Sequence, residues 1–448
     1  MGFLRVLLLC LLVIRVMVLV GVTGGGAHRP PAMYVFGSSI LDVGNNNYLP
    51  GAAVGRANRR FNGIDFPASI PTGRFSNGYN IADYVAKNMG FACSPPAYLS
   101  LAPNSSGPLV QTALSSGINY ASGGAGILDS TKREVHFTPL TLSLSLKDPP
   151  EIQNRTACTL QVSIPVKNPP YDSSKWFTRW FSLTWRQRVC GPHVSAKGGR
   201  VSPHNAGNTI PLSKQVQYFN ATRTKMVAAV GPHAATTLLS KSVFLIGIGN
   251  NDMFVSAFAE QARNRSAAEQ KKDAAALYAD LISNYTATMT ELHAMGARKF
   301  ALVGVGLQGC VPGVRALSPA GACWDGLNDL SAGFDAALRT ELAGGLSALL
   351  PGAAYSLGDC LGFTRDVLAD PRASGFDDAA GACCGGGRLS AEAECFPNST
   401  LCADRDRHVF WDRAHFSQRM ASLIARAFYD GPAKYTTPIS FMQLAQSS

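Results

Sequence analysis

The sequence predicts an α/β fold, in which helices cover both faces of a mainly parallel, five-stranded sheet and so make a three-layer α/β/α sandwich. Two observations predict this fold. Short apolar runs that end at glycine, as buried strands often do, alternate along the chain with longer segments of helical pattern. Strands that alternate with helices form parallel sheets with right-handed crossovers, and the 448 residues contain no evident internal repeat.

Five segments are the predicted strands. The first is the apolar run Met33–Gly37, which ends abruptly at its glycine. The others are, in chain order, Gly117–Ser122, Val243–Gly249, Lys299–Val305 and Ala354–Leu357. In an open parallel sheet, functional residues collect just beyond the carboxyl ends of the strands. The residues that follow the strands are therefore the first candidates for a functional site.

Five segments have the pattern of helices. They are Asn80–Gly90, Leu212–Val230, Glu269–Met295, Leu327–Leu350 and Phe416–Tyr429. The first of them ends on glycine, the commonest residue at a helix C-terminus. The last follows a polar block near the end of the chain, so we expect it to close the fold.

A serine and an Asp-x-x-His pair are the candidate catalytic residues. Ser39 lies two residues beyond the glycine that ends the first strand, where a serine alone is more often a helix cap than a nucleophile. Asp412 and His415 are three residues apart, on one helical turn or in a tight loop, and such a pair is commonly a surface contact. Together the three form a candidate triad, because an imidazole held by a carboxylate activates a serine.

Blocks of sequence in a fixed order carry a family resemblance. The serine block is followed by a glycine block, a Gly-x-Asn-Asp block and the Asp-x-x-His block, with two further matching segments and a loop that precedes the first predicted helix. The matching stretches are Met33–Asn47, Arg74–Gly78, Gly117–Leu128, Gly249–Asp252, Leu302–Pro312, Cys383–Gly387 and Phe410–His415. The chain resembles the plant-type GDSL esterase/lipases of the SGNH hydrolase superfamily over about residues 32–429. Each block is a weak signal alone, but four in order are a strong one.

The resemblance implies a flavodoxin-like fold and a secreted carboxylic ester hydrolase that needs no metal or other cofactor. It assigns Ser39 as nucleophile, His415 as general base and Asp412 as the residue that orients the imidazole. The implied oxyanion hole consists of the backbone N–H groups of Ser39 and Gly124 and the side-chain amide of Asn251. Without the other blocks, Gly124 and Asn251 would be interpreted as a turn glycine and a turn-capping asparagine, both of which are common.

Two positions depart from the family motif, and the change at Ser38 is the one that alters its chemistry, since Leu to Ile at position 40 conserves volume. The eponymous Gly-Asp-Ser-Leu is Gly37-Ser38-Ser39-Ile40 here, so a carboxylate beside the nucleophile is replaced by a hydroxyl. The alternative function is therefore a catalytically weakened or silent extracellular binding protein. If the missing carboxylate matters, the substitution Ser38→Asp should raise turnover.

The polar residues near these blocks are expected to support the loops. Asp42, Asn45 and Asn46 follow Ser39 closely, and side chains of these types order loops by hydrogen bonding to nearby backbone. Asp252 is expected to stabilise its loop rather than to take part in the reaction.

The N-terminus is typical of a secretory signal peptide. Residues 1–20 are almost all apolar with Arg5 near the start, and small residues at 21–27 suit cleavage. Arg15 lies inside the apolar run, which leaves a permanent membrane anchor as the alternative. Secretion to the cell exterior or wall also agrees with Asn-x-Ser/Thr acceptors at Asn104, Asn154, Asn220, Asn264, Asn284 and Asn398. No other stretch is long and apolar enough to span a bilayer.

Cysteines are concentrated towards the C-terminus. Six of the 11 in the chain lie between residues 323 and 402: Cys323, Cys360, Cys383, Cys384, Cys395 and Cys402. In an oxidising compartment they are disulfide candidates of undetermined connectivity. Cys395 and Cys402 resemble half of a zinc site, but no histidine cluster completes it.

A basic segment interrupts the resemblance at about residues 132–205. It holds 11 Lys and Arg against 4 Asp and Glu, and so supplies most of the net charge of +11, together with Trp176, Trp180 and Trp185. The rest of the chain has no basic face, so no nucleic-acid partner is expected, and the predicted partner is a small-molecule or lipid ester.

The predicted organisation is a signal peptide (1–27) followed by one hydrolase domain (28–448) that this segment interrupts. A structureless loop of such length is uncommon inside a compact domain. The segment is either a lineage-specific insertion or translated non-coding sequence such as a retained intron, and its sharp change of composition favours the second. The tryptophans could alternatively form a lipid-contacting patch.

Overall fold

The structure is a computed structural model, and it describes residues 29–101, 106–132, 159–161, 182–184, 208–263 and 265–447. The chain divides into two compact units: residues 1–135 with 203–448, and residues 136–202. The second unit falls within the interruption seen in the sequence. The predicted signal peptide, the three tryptophans and the acceptors Asn104, Asn154 and Asn264 lie outside the described residues.

The first unit is built on a five-stranded sheet with the order β1-β4-β5-β6-β11. Its strands are β1 (Met33–Gly37), β4 (Val243–Gly247), β5 (Lys299–Val303), β6 (Ala354–Gly358) and β11 (Thr436–Thr437). The first four are parallel, and only β11 is antiparallel, to β6. The predicted sandwich with a mainly parallel sheet is therefore confirmed.

The remaining strands form small pairs. They are β2 (Thr159–Gln161) with β3 (Ser182–Thr184) in the second unit, and β7 (Asp378–Ala382) with β10 (His408–Phe410) and β8 (Cys384–Gly385) with β9 (Thr400–Leu401) in the first. The pair β7–β10 is parallel, whereas the other two pairs are antiparallel.

One predicted strand is not a regular strand. The segment 117–122 runs beside β1 and makes only an isolated parallel bridge between Asn119 and Val35. Backbone N–H groups of Val35 and Tyr120 still bond across to Ile118 and Val35 at 3.0 and 2.7 Å. The segment also turns towards Ala97, so it borders the sheet without continuing it. The fifth strand is β11, which is too short for a sequence pattern to reveal.

Twelve helices are described in the first unit. They are α1 (Ile81–Asn88), α2 (Ser106–Ser115), α3 (Leu212–Val230), α4 (Pro232–Lys241), α5 (Asn250–Arg263), α6 (Ala267–Ala294), α7 (Pro312–Arg315), α8 (Asp325–Gly344), α9 (Leu346–Leu349), α10 (Cys360–Ala369), α11 (Gln418–Tyr429) and α12 (Phe441–Gln446). The helices pack in two groups, α1 with α10 to α12, and α2 to α6 with α8. The five predicted helices are confirmed, although the fourth is divided into α8 and α9.

An aromatic cluster packs β1, the first strand in the sheet order, against α3 and β4. Tyr34 and Phe36 of β1 pack against Phe219 of α3 and Phe244 of β4, with ring centroids 5.2–6.3 Å apart. All four side chains are fully buried. Aromatic pairs of this kind contribute about 0.5–1.5 kcal/mol each beyond their buried area. Ser39 thus follows a strand whose five residues are all buried.

Three disulfides are formed among the described residues: Cys310–Cys323, Cys383–Cys402 and Cys384–Cys395. Five of the six candidates are paired, as expected. The exception is Cys360, which is a free thiol inside the core, while Cys323 pairs instead with Cys310, seven residues beyond the end of β5. The half-zinc interpretation is wrong, because the sulfurs of Cys395 and Cys402 belong to two different disulfides.

Residues on either side of the interruption contact the same part of the first unit. The hydroxyl of Ser213 donates to Asp129 at 2.7 Å, and the backbone N–H of Leu212 donates to the carbonyl of Gly126 at 3.2 Å. The side chain of Asn208 donates to the carbonyl of Pro50. Both ends of the interrupted connection are therefore held by hydrogen bonds within this unit.

None of the helices within the described ranges is both long enough and apolar enough to cross a membrane.

Candidate active site

The carboxyl ends of the parallel strands define where the candidate residues lie. Gly37, Gly247, Val303 and Gly358 are aligned in register at these ends. The chain leaves β1 through Gly37 because no other residue fits there: a Cβ on Gly37 would lie 2.4 Å from the carbonyl oxygen of Gly247. The backbone N–H of Ser38 then donates to that same carbonyl at 3.1 Å. Ser39 is thereby presented just beyond the sheet.

A glutamine holds the end of β1 from the side of α3. The Gly37 N–H donates to Oε1 of Gln215 at 2.8 Å, and Nε2 of Gln215 donates to the Gly37 carbonyl at 2.9 Å. The same Nε2 also donates to the carbonyl of Ile210 at 2.8 Å. Gln215 is completely buried. Its amide therefore gives the Gly37 N–H an acceptor and shares the Gly37 carbonyl with the backbone N–H of Ser122.

Asp412 and His415 lie in a loop between β10 and α11, not on a helical turn. Oδ1 of Asp412 accepts hydrogen bonds from the backbone N–H groups of Ala414 and His415, each at 2.9 Å, so the carboxylate stabilises the loop in which it lies. Nδ1 of His415 lies 2.8 and 2.9 Å from the two carboxylate oxygens. Because an ionised carboxylate only accepts hydrogen bonds, Nδ1 carries the proton in this pair.

The fold brings His415 to Ser39. Nε2 of His415 lies 3.0 Å from Oγ of Ser39, although 376 positions separate the two residues in the chain. With the proton on Nδ1, Nε2 is the acceptor and the serine hydroxyl is the donor. Asp412 and His415 are 7% and 6% exposed, while Ser39 is partly exposed. The hydroxyl is thus the most accessible member of the three.

An aromatic ring covers the imidazole. The centroid of the Phe75 ring lies 4.9 Å from that of His415, with 33° between the ring planes. The other edge of Phe75 borders Gly123, where a Cβ would approach the ring to 2.5 Å. Phe75 consequently reaches from the imidazole to the glycine turn.

The loop after Ser39 and the glycine turn are tied together by Asp42. Its Oδ1 accepts the N–H groups of Gly44 and Asn45 at 2.7 and 2.8 Å, and its Oδ2 accepts the N–H of Gly123 at 3.0 Å. Burial raises the pKa of Asp42 to about 6, against the lowering effect of these backbone donors. Asp42 orders this loop by the side chain to backbone bonding that the sequence predicts.

The two asparagines extend the same network. Nδ2 of Asn45 donates to the carbonyls of Asn119 and Ala121, and Nδ2 of Asn46 donates to the carbonyl of Gly123 at 2.9 Å. Both side chains are buried. Gly124 follows in a left-handed conformation, φ +85°, which is strained for any residue with a side chain.

Asn251 lies on the first turn of α5 rather than in a loop that ends a strand, as the sequence suggested, because β4 stops at Gly247. Its Nδ2 donates to the carbonyl of Ala125 at 2.8 Å, which places the amide beside the glycine turn. The adjacent Asp252 is buried and accepts from the N–H groups of Ile127 and Leu128 and from the hydroxyl of Thr131. Burial raises the pKa of Asp252. Its role as a loop stabiliser agrees with the sequence interpretation.

Three groups are candidate donors for a substrate oxygen. Within the described residues, the backbone N–H groups of Ser39 and Gly124 have no protein acceptor, and the amide of Asn251 stands next to Gly124. Donors that converge beside a nucleophile suit an anion that forms only during a reaction. Ser38, which occupies the position of the family's aspartate, is buried, and its hydroxyl has no partner in the described part of the chain.

Sequence reasoning missed Gln215 and the position of Phe75 in the site. Gln215 does carry a signal, because it is a polar residue on the apolar face of α3, next to Val216 and one turn before Phe219. A polar side chain at a core position needs a specific partner. Phe75 lies in the segment Arg74–Gly78, which resembles the family, but nothing in the sequence indicates that it contacts His415.

One group of potential metal ligands occurs among the described residues, namely Cys383, Cys402 and His408, with ligand atoms within 4.8 Å of one another. The two sulfurs form a disulfide with each other, so they are not available as thiolates. This group therefore does not fit a metal ion.

Comparison with known proteins gives a consistent result. Residues 33–428 match the family described as GDSL-like Lipase/Acylhydrolase. A GDSL esterase/lipase of Arabidopsis thaliana is 32% identical over 419 residues, which cover 93% of this chain and 90% of that protein. The protein named GDSL esterase/lipase 7, also from Arabidopsis thaliana, is 31% identical over 446 residues, covering 98% of this chain and 99% of that protein.

Proposed function

The chain belongs to the family of GDSL-like lipases and acylhydrolases, and on that premise we propose that it is a secreted carboxylic ester hydrolase with Ser39, His415 and Asp412 as its catalytic triad. The hydrogen bond of 3.0 Å between Nε2 of His415 and Oγ of Ser39 carries the proposal. Hydrolysis of ester bonds is the chemistry that the family supports, and the residue roles are inferred from the geometry.

In the proposed reaction, Oγ of Ser39 attacks the ester carbonyl carbon while its proton passes to Nε2 of His415. The tetrahedral intermediate then expels the alcohol, whose oxygen takes the proton back from Nε2. An acyl-serine remains, and a water molecule activated by His415 releases the acid and restores the serine. Asp412 keeps Nδ1 protonated throughout and stabilises the imidazolium that forms twice per cycle.

The proposed oxyanion hole consists of the N–H groups of Ser39 and Gly124 and the amide of Asn251. These donors are held in advance: Asp42 binds the N–H of Gly123, and Asn46 binds its carbonyl. Donors that need no rearrangement when charge develops contribute most to catalysis. A Cβ on Gly123 would collide with Phe75 and with the Asn46 amide, so glycine is required at this turn.

The proposal places the protein outside the cell. The three disulfides suit an oxidising compartment, and the acceptors Asn220, Asn284 and Asn398 are exposed and so accessible to glycosylation. The residues proposed to form the signal peptide, 1–27, would be removed from the mature protein.

The test is labelling and turnover of the secreted protein. Wild-type protein should react with a fluorophosphonate probe and hydrolyse short acyl esters, and Ser39→Ala should lose both. Ser100 is exposed, and its hydroxyl donates to the carbonyl of Ala97, so Ser100→Ala is the control and should keep both properties. If Ser39→Ala stays as active as wild type, the nucleophile assignment is wrong.

A silent binding protein is the second candidate, and it is favoured by the buried hydroxyl of Ser38, which has no partner among the residues that the structure describes. Wild-type protein that folds and is secreted but is not labelled by the fluorophosphonate would support this candidate. If the absent carboxylate limits an active enzyme, Ser38→Asp should raise its turnover. Unchanged or lower turnover in Ser38→Asp would exclude that explanation.

A further inference from the structure

Phe75 is the one partly exposed residue in a buried stretch. Gly73, Arg74, Ser76, Asn77 and Gly78 are all buried, whereas Phe75 retains access to solvent. A large apolar side chain that is exposed at a candidate active site, between buried polar neighbours, calls for a functional explanation.

The neighbours of Phe75 fix its position. Arg74 makes a bidentate ion pair with Asp83 of α1, at 2.7 and 2.8 Å, and both residues are almost fully buried. Asn77 accepts the backbone N–H of Gln418, the first residue of α11, at 2.8 Å and donates to Asp65 at 2.8 Å. Since α11 begins three residues after His415, the loop that carries Phe75 is attached to the chain that carries the imidazole.

The ring of Phe75 lies against the imidazole that is hydrogen-bonded to the Ser39 hydroxyl. One side of the ring packs on His415 with centroids 4.9 Å apart, and its edge touches Gly123, next to the proposed oxyanion donor Gly124. A substrate whose carbonyl oxygen lies among the oxyanion donors therefore has Phe75 on the side of the imidazole.

The chemistry of the step decides which part of the ester meets this ring. The alcohol oxygen must approach Nε2 of His415, because it receives the proton there when the tetrahedral intermediate collapses. The carbonyl oxygen occupies the oxyanion donors, so the acyl chain has to leave in a third direction, away from both. The group attached to the alcohol oxygen is thus the part that passes the ring stacked on His415.

We propose that Phe75 is a specificity-determining residue for the alcohol part of the ester, and that it favours an apolar or aromatic alcohol. This inference rests on the proposed hydrolase function. An aromatic face gains from an apolar or aromatic partner and offers no hydrogen bond to a polyhydroxylated one. The acyl group does not contact Phe75 in this arrangement.

Two ester series separate the alcohol from the acyl part. The first keeps the butanoyl group and varies the alcohol from methyl to butyl to benzyl, and the second keeps methanol and varies the acyl group from acetyl to octanoyl. In Phe75→Ala, kcat/KM for benzyl butanoate should fall about tenfold relative to methyl butanoate, mainly through KM. Selectivity along the acyl series should be the same as in wild type.

Two further variants make the test independent of folding defects. Phe75→Leu keeps apolar bulk but loses the flat face, so we expect it to reduce the preference for benzyl over butyl esters and to fold if Phe75→Ala does not. Phe363→Ala removes a partly buried ring that packs on Tyr435, with centroids 5.1 Å apart, and should keep both selectivities of wild type.

The outcomes are distinct. An equal loss of kcat/KM on every ester, or altered selectivity along the acyl series alone, would overturn the inference, because Phe75 would then only position His415 or would line the acyl site. An active, fluorophosphonate-labelled wild-type enzyme whose alcohol selectivity survives both Phe75 variants also contradicts it. Wild-type protein that is neither labelled nor active refutes the proposed function, and this inference with it.

Discussion

Gln215 acts towards Gly37 as a neighbouring strand would, since its amide accepts the Gly37 N–H at 2.8 Å and donates to the Gly37 carbonyl at 2.9 Å. The segment 117–122 beside β1 diverges from regular pairing, and its residue Ser122 also donates to the Gly37 carbonyl at 3.0 Å. Gly37 is two residues from the proposed nucleophile. We infer that the buried side chain of Gln215 holds the turn that presents Ser39.

The substitution Gln215→Leu tests this relationship. It leaves the Gly37 N–H and the Ile210 carbonyl without their partners in the core, which costs about 1–3 kcal/mol for each unmet buried group. We expect a lower free energy of unfolding in urea and a lower kcat with little change in KM. Gln217→Leu on the exposed side of the same helix is the control, and it should match wild type in both measurements. A Gln215→Leu enzyme with normal kcat would contradict the positioning role.

Asn251→Ala should reduce the rate of the chemical step. Loss of one oxyanion donor lowers kcat by about 10²–10³-fold in enzymes that use such a site. Steady-state kinetics on a short acyl ester measures the change, and circular dichroism checks that α5 remains folded. The adjacent Asn250 offers a matched control, as Asn250→Ala changes the same helix end without removing the donor. Similar kcat values for the two variants would exclude Asn251 from the oxyanion hole.

Asp335 should make stability depend on pH. This residue of α8 accepts the N–H of Val305 at 2.9 Å through Oδ1, and its other oxygen is buried without a partner in the described residues. Burial raises the pKa of Asp335 from 3.8 to about 8. Because the folded pKa lies above the unfolded one, the native state binds more protons between about pH 4 and 8, and stability falls as the pH rises through this window.

The measurement compares wild type with Asp335→Asn, in which a neutral amide replaces the carboxyl group. Urea unfolding at pH 5, 7 and 9 should show a difference in favour of the variant that grows with pH, by at most about 1.4 kcal/mol per pH unit, and levels off above pH 8. Asp329→Asn, exposed on the same helix, should show no such trend. A difference that is constant with pH would mean that Asp335 is ionised at every pH tested.

The disulfide Cys384–Cys395 should stabilise the chain that leads to Asp412. The backbone N–H groups of Cys383 and Cys384 donate to the carbonyls of Phe410 and Trp411 at 3.1 and 2.8 Å, directly before the carboxylate. Replacing both Cys384 and Cys395 by alanine should lower the free energy of unfolding by about 2–4 kcal/mol. The measurement is urea unfolding under non-reducing conditions. Cys93→Ala, at a partly exposed free thiol, is the control, and an equal effect of the two changes would argue against the disulfide.

The sequence predicts the parts of the fold that are governed by local pattern. Local pattern correctly predicts the apolar runs of β1, β4, β5 and β6 and the helix α3. Each of these elements is fully or partly buried, so its apolar residues recur with the period of its own structure. Elements that depend on distant partners are missed. The two-residue strand β11 exists only because β6 lies beside it. The segment 117–122 is not a regular strand, because its pairing with β1 is interrupted at Gly37, whose N–H donates to the side chain of Gln215.

The residues of the candidate site could likewise be predicted only in part. The convergence of Ser39, Asp412 and His415 could be expected from ordered motifs, and the structure has the hydrogen bond that such convergence requires. The catalytic roles stay predictions. The sequence alone could not place Phe75 and Gln215 in the site. Phe75 contacts His415, 340 positions away, and Gln215 contacts Gly37, 178 positions away, and no local pattern encodes such contacts.

The hydrogen bond of Ser213 to Asp129 has a consequence for how this gene can change. Because both sides of the junction between 132 and 208 are held by hydrogen bonds within the first unit, we expect that unit to fold with segments of different length between them. The junction is therefore a position at which a reporter or a second binding module could be inserted into the protein.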